Sequence, residues 1–293
     1  MICASWRESS VKQYSVYLKK WTEFCARNSV DPRAPSEVQI VDFLTVLFNK
    51  GESYSAINTA RSALSSFIVN EQGVTAGNTR LVKRFLKGVF ELRPPHPRYE
   101  YIWDANIVLD FLKNFSVEDI SLVCLTKKLV TLMALASAQR VQTLSFINID
   151  NICYQNDFIL IHIYDLLKQS NATRRKFTMK FSRNENPLIC VYTHLEEYME
   201  RTSSLRGDKK KLFISFQKPH GEVSRSTLSR WIKDVLYEAG IDIDVFKAHS
   251  TRAAASSRAR QDNVNVDDIL KTAGWSSRHT FAKYYDKVIL DAA

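Results

Sequence analysis

Ala248-His249-Ser250-Thr251-Arg252-Ala253-Ala254-Ala255 places a histidine and an arginine three positions apart in a run of small, helix-compatible residues. On a helix, positions i and i+3 share a face, so both side chains can reach one anion. Downstream come Gly274-Trp275-Ser276-Ser277 and then Lys283-Tyr284-Tyr285, which ends in two adjacent phenols. A base, a fixed cation and a phenol brought together suit chemistry on a phosphodiester. His-x-x-Arg alone is a common pattern, and its weight comes from the rest of the chain.

Upstream, residues 122 to 137 form a strongly apolar stretch that reads as a buried helix, and Ala138-Gln139-Arg140-Val141-Gln142-Thr143-Leu144 follows it. An arginine just past a buried helix, with small residues before it, can be held at a covered site. Phe158 to Tyr164 is a β-rich run and Lys176 to Phe181 alternates, with turn residues between them, so the pair reads as a hairpin presenting Lys168 near its tip. Leu212 to Ile214 reads as a further strand. Cys190 to Thr202 reads as a helix, as does a segment capped by Ser226 and carrying Leu228, Trp231, Ile232, Val235 and Leu236.

The first third of the chain reads as helical throughout. Val11, Tyr14, Leu18, Trp21, Phe24 and Cys25 recur at helical intervals until Asp31-Pro32-Arg33-Ala34-Pro35 stops them. Ser36 caps a second helix with Val41, Phe43, Leu44 and Leu47 on its apolar side. A small-residue-rich third helix spans 53 to 69 and a fourth about 79 to 90. Residues 1–93 carry 13 Lys and Arg against 8 Asp and Glu. Basic side chains between short helices can line a DNA groove, where phosphate contacts supply position and salt-dependent affinity, and Arg61 is the candidate for close approach. Pro94-Pro95-His96-Pro97 is the clearest boundary, a stiff extended linker.

Bulk properties agree with this layout. With 293 residues the chain is long enough for two domains, and 41 Lys and Arg against 31 Asp and Glu give a net charge of +10. Such an excess favours a polyanionic partner, most simply nucleic acid. The five cysteines are scattered, with no C-x-x-C pair, which points to reduced thiols and away from a zinc site. The N-terminal residues lack the apolar core of a signal peptide, and no stretch approaches a membrane span, so no membrane partner is expected.

Together these residues resemble the tyrosine recombinase (phage integrase) superfamily over nearly the whole chain. Arg140 follows the buried helix, Lys168 sits on the hairpin, His249 and Arg252 form the His-x-x-Arg box, Trp275 stands where the family has His or Trp, and a tyrosine follows. The Gln139-to-Leu144 segment and Thr280-Phe281-Ala282-Lys283-Tyr284-Tyr285 resemble the recombinases of Crypton DNA transposons and DIRS-type retrotransposons. The implied fold is mainly α with a small antiparallel β-sheet. Residues 1–93 would be a helical core-binding, DNA-binding domain, 94–103 the linker and 104–293 the catalytic domain. One departure concerns Thr143: bacterial members carry an acidic residue there, three places after the first arginine.

The resemblance implies a site-specific recombinase or integrase of a eukaryotic mobile element, cleaving and rejoining duplex DNA through a 3′-phosphotyrosyl intermediate. Arg140 and Arg252 would hold the non-bridging phosphate oxygens, as planar guanidinium forks suit. His249 would assist the phenol, Lys168 would protonate the departing 5′ oxygen, and Trp275 would pack or donate its indole N–H. Spacing as in bacterial integrases makes Tyr284 the nucleophile, and the mobile-element pattern, favoured here, makes it Tyr285. Arg61, Arg225 and Arg230 are candidate DNA-binding residues. No cofactor or metal is expected. The partner is double-stranded DNA, with a homotetramer on two duplexes and a monomer or dimer without DNA, in the nucleus or in the cytoplasm before import. Two other readings use the same residues: a type IB topoisomerase relaxing DNA, and a domesticated, catalytically inactive DNA-binding protein.

Overall fold

The computed structural model describes residue 6, residues 8–167 and residues 176–290. The chain divides into two compact units, Met1–Arg98 and Tyr99–Ala293. The described residues of the first form four α-helices: α1 (Glu8–Asn28), α2 (Glu37–Asn49), α3 (Tyr54–Ser65) and α4 (Arg80–Leu92). Their apolar stripes meet in a core of Trp21, Phe43, Leu44, Leu47, Ile57, Leu64, Val82 and Val89. Ser36 closes a capping box with Gln39 at the start of α2, and Ser53 caps α3 through the Ala56 amide.

α3 is shorter than the sequence suggests. Ser62, Ser65 and Ser66 turn their hydroxyls onto the carbonyls of Asn58, Arg61 and Ala63, which competes with helix propagation, and Val69 instead bridges Thr75 across a turn.

The second unit begins with β1 (Tyr101–Trp103), inside the stretch read as linker from the prolines, followed by α5 (Ala105–Lys113), α6 (Leu122–Ser137) and α7 (Val141–Ser145). Then come β2 (Ile152–Tyr154), β3 (Phe158–Ile163), β4 (Phe177–Ser182), α8 (Val191–Thr202) and α9 (Arg225–Glu238). The unit closes with α10 (Thr251–Gln261), α11 (Val266–Ala273), α12 (Arg278–Tyr284) and β5 (Val288–Leu290). The fold is therefore mainly α with a small antiparallel sheet, ordered β2-β3-β4. Ile159, Ile161 and Ile163 pair with Phe181, Met179 and Phe177 and turn inward at period two. β1 and β5 add a separate two-stranded parallel pair, with Ile102 against Ile289.

Two sequence expectations need correction. The cap of α9 is Ser224, whose hydroxyl accepts the Thr227 amide; Ser226 already lies in the first turn. Leu212 to Ile214 is buried but forms no strand, and only isolated bridges, Asn148 with Lys211 and Ile214 with Glu222, flank it. The four described cysteines are free thiols, and no described helix is long and apolar enough to cross a membrane.

α6 is the central element. It is buried from Leu125 to Leu135 on nearly every side and packs on α8, α9 and α10. Its hydroxyls return to its own carbonyls, Thr126 to Leu122 and Thr131 to Lys127. Lys128, also buried, reaches the Phe115 carbonyl at 2.6 Å. α6 ends at Ala138, whose left-handed backbone (φ 47°) turns the chain so that Arg140 leads into α7. That conformation costs an alanine about 1 kcal/mol, which the packing around it must offset.

Burial pushes the Lys128 ammonium down to about 8. The unfolded chain therefore binds more protons than the folded one between that value and the ordinary lysine value, and this group makes stability rise with pH across the window. Lys128→Met should remove that rise. Denaturant unfolding at pH 7 and pH 10 should show the wild type gaining about 1–3 kcal/mol relative to the variant. A pH-independent difference would contradict the assignment.

Candidate active site

The site is assembled at the start of α10. His249 lies in a single 3-10 turn, Ala248–Ser250, and the α-helix proper begins at Thr251. The turn is fixed from two sides. The Thr251 hydroxyl donates to the Ala248 carbonyl, and the buried Ser250 hydroxyl accepts the Trp103 indole N–H at 2.9 Å. His249 is exposed whereas Arg252 is fully buried. Ala253, Ala254, Ser256 and Ser257, all small and buried, let α10 approach its neighbours closely enough to cover the guanidinium.

Arg252 donates through Nη2 to the Ala273 carbonyl at 3.2 Å. Its Nε and Nη1 meet no hydrogen-bond partner among the described residues. The guanidinium carbon lies 4.9 Å from the Trp275 ring centre and 5.1 Å from that of Tyr285. Burial and then the Arg140 guanidinium push its pKa down, with Tyr285 acting the other way. Arg140, half-buried at the exit from α6, is thus near enough to act on Arg252 as a like charge. Two guanidinium groups near enough to act on one another can jointly hold an oxyanion.

Trp275 follows Gly274, whose left-handed backbone (φ 69°) terminates α11. The indole is buried, and its Nε1 is a third unpartnered donor among the described residues. Its ring stacks on Tyr285, with centroids 4.4 Å apart and planes at 30°. The Tyr285 hydroxyl lies 3.5 Å from His249 Nε2. Its main chain is tied down as well, since its carbonyl accepts from Ser256 Oγ at 3.2 Å and Ser257 Oγ at 2.9 Å. Tyr284 is 52% exposed and carries the Lys283 ammonium 5.3 Å from its ring centre. The phenol that joins the cluster is Tyr285.

Of the residues picked from sequence, Arg140, His249, Arg252, Trp275 and Tyr285 therefore converge. Lys168 lies outside the described residues. Arg225 and Arg230 are exposed on α9, and no described contact links them to the cluster. Arg61 belongs to the first unit, where it is bonded to Asn58 Oδ1, Ser62 Oγ and the Gly77 carbonyl. A Cβ on Gly77 would come within 2.8 Å of the Arg61 side chain, so that close approach requires glycine. Sequence reading missed Ser256, Ser257, Ser250 and Trp103 as supports: none stands out by type, and all act through partners distant in the chain. Among the described residues no group of three or more His, Cys, Asp or Glu is placed to hold a metal ion.

Comparison with known proteins follows the same line. The fold is shared with the XerH site-specific recombinase bound to a palindromic difH substrate (TM-score 0.62, 14% identity, 92% of this chain and 74% of that one). It is also shared with a lambda integrase dimer bound to a COC′ core site (0.59, 13% identity, 98% and 75%). A third structure, the Tn1549 transposon integrase with transposon right-end DNA, aligns at 0.58 with 15% identity over 88% and 82%. No curated protein matches by sequence. The profile of the phage integrase family matches residues 108–288, well over half of the chain and spanning the cluster from Arg140 to Tyr285. The chain belongs to the phage integrase family, the tyrosine recombinases.

Proposed function

We propose that this protein is a DNA strand transferase that cleaves and rejoins duplex DNA through a 3′-phosphotyrosyl intermediate. The observation that carries the reading is the buried Arg252 guanidinium, with two unpartnered nitrogens, beside Arg140 and beneath the Tyr285 ring. The Tyr285 hydroxyl oxygen attacks the phosphorus, its proton passes toward His249, and the bond to the 5′ oxygen breaks. Arg140 and Arg252 take the non-bridging oxygens, and Trp275 Nε1 supplies a further donor. Such preorganised donors account for much of the barrier reduction in transfers of this kind. Lys168 is assigned to the departing 5′ oxygen on its sequence position alone. Attack by a free 5′ hydroxyl of another strand reverses the step and joins new partners, and one phosphate ester bond is exchanged for another throughout.

Duplex DNA as partner is supported by the net charge of +10 and by the DNA-bound states of the three similar structures. A mobile-element origin, a tetramer on two duplexes and a nuclear location extend the proposal, on the Gln139-to-Leu144 and Thr280-to-Tyr285 segments. Arg61, Arg225 and Arg230 are kept in it as backbone contacts; phosphate contacts of that kind give affinity without sequence readout.

A nicked suicide duplex, resolved on a denaturing gel, tests the chemistry. Tyr285→Phe should lower the covalent adduct by on the order of 10³-fold or more, while Tyr284→Phe should retain most of it. The opposite pattern would reassign the nucleophile. Arg140→Lys keeps the charge but loses the two-point fork, and its adduct should form roughly 10²-fold more slowly. Cleavage at the wild-type rate would remove Arg140 from phosphate binding.

A further inference from the structure

We infer that Gln139 is a positioning residue, whose side-chain amide clamps the last turn of α11 to the end of α6 and so holds Trp275 and Tyr285 in register with the two arginines. The last carbonyls of a helix have no amide of their own helix to bond. In α11 the Leu270 and Lys271 carbonyls are taken by the amides of Trp275 and Gly274. The next two go elsewhere. Thr272 accepts from Gln139 Nε2 at 2.6 Å, and Ala273 accepts from Arg252 Nη2 at 3.2 Å.

α11 and α12 need such ties. Ile269, Leu270, Ala273, Trp275 and Phe281 form a small core of their own with Ala138, separate from the main core of the unit. Tyr285 packs at its edge. Apolar contact resists separation but is non-directional; the serine hydroxyls of α10 orient the Tyr285 main chain, and the two hydrogen bonds along this seam orient the end of α11. One of them uses Arg252, whose remaining nitrogens are the phosphate donors of the proposed reaction. The other is neutral. Gln139 is 1% exposed and anchored at its own backbone, where its amide donates to Ser137 Oγ at 3.3 Å. It adjoins Arg140, and Thr272 stands three residues before Trp275.

The residue type fits the task. An apolar side chain would remove the donor that ties the Thr272 carbonyl to the end of α6. A carboxylate would repel that carbonyl and bring a negative charge into the arginine pair. Asparagine is one methylene short. A neutral amide of glutamine length joins the two parts and leaves the positive charge of the site intact.

The catalytic consequence rests on the proposed strand transfer, whereas the clamp itself does not. The test compares the full chain with Gln139→Met and Gln139→Asn. Amide hydrogen exchange should become about tenfold faster or more across residues 269–285 in both variants, with α8 and α9 unchanged. On a suicide duplex at saturating DNA, the rate of adduct formation should fall at least tenfold while duplex affinity stays within about twofold. Unchanged exchange at 269–285 would overturn the clamp. Protection lost throughout the second unit in both variants would also overturn it, in favour of a general folding role. Faster exchange with an undiminished adduct rate would refute the positioning of Trp275 and Tyr285. If the wild type forms no adduct, the proposed function fails, and hydrogen exchange alone decides for or against the clamp.

Discussion

Arg252 carries its positive charge into the interior of the second unit, and among the described residues Arg140 is the cation that acts on it. Removing a charge from water costs several kcal/mol even after relaxation, and a like charge nearby adds to that. The compensation comes from neutral groups: the Ala273 carbonyl and the faces of Trp275 and Tyr285. An arginine over an aromatic face gains about 0.5–2 kcal/mol, so the two rings offset part of the penalty and leave the rest for an incoming anion to relieve. The small residues of α10, the turn after α11 and the placement of Tyr285 can all be read as consequences of housing this one group.

Lys128 gives a useful contrast within the same unit. It too is buried, and burial lowers its pKa to about 8, so it sheds its charge in mildly alkaline solution, while one backbone carbonyl accepts from it. A guanidinium keeps its charge under comparable burial. The unit thus holds two buried cations whose pKa values burial pushes down, and the phenol and imidazole gather at the guanidinium, which starts from the higher value. The placement of Tyr285 follows from the register of α12. Phe281 is buried in the small core, and the residue four positions on returns to the same helix face, whereas Tyr284 is rotated about 100° into solvent. The two serines on the Tyr285 carbonyl then fix the main chain that carries the ring.

Much of this was legible in the sequence, and the failures have physical causes. α6 could be read because a long apolar stretch buried on all sides needs no particular period, and α2 because a capping box is written within four residues. Arg140, His249, Arg252, Trp275 and Tyr285 were legible as an ordered set. The end of α3 was not, since three serines that look helix-compatible bond back onto it. β1, β2 and β5 are three residues each, too short to show alternation, and β1 with β5 pairs residues far apart in the chain. Ser224 and Ser226 are equally good caps on paper, and only backbone geometry distinguishes them. Gln139 was visible in a motif, but its bond to Thr272 spans 133 positions, and nothing local marks it.

The substitution at Thr143 connects these points. Where bacterial relatives carry an acid three places after the first arginine, this chain has a buried threonine in α7. An acid there would orient a guanidinium strongly but also cancel part of its charge. In this protein the described orienting contacts are neutral: the Ala273 carbonyl for Arg252, the Gln139–Thr272 bond for the segment bearing Trp275, and the serine hydroxyls for Tyr285. Neutral dipoles align a cation without neutralising it, so the contacts to Arg252 leave its charge in place. Arg252 is harder to bury for keeping its charge, and under the proposed strand transfer that same charge is what electrostatic preorganisation requires.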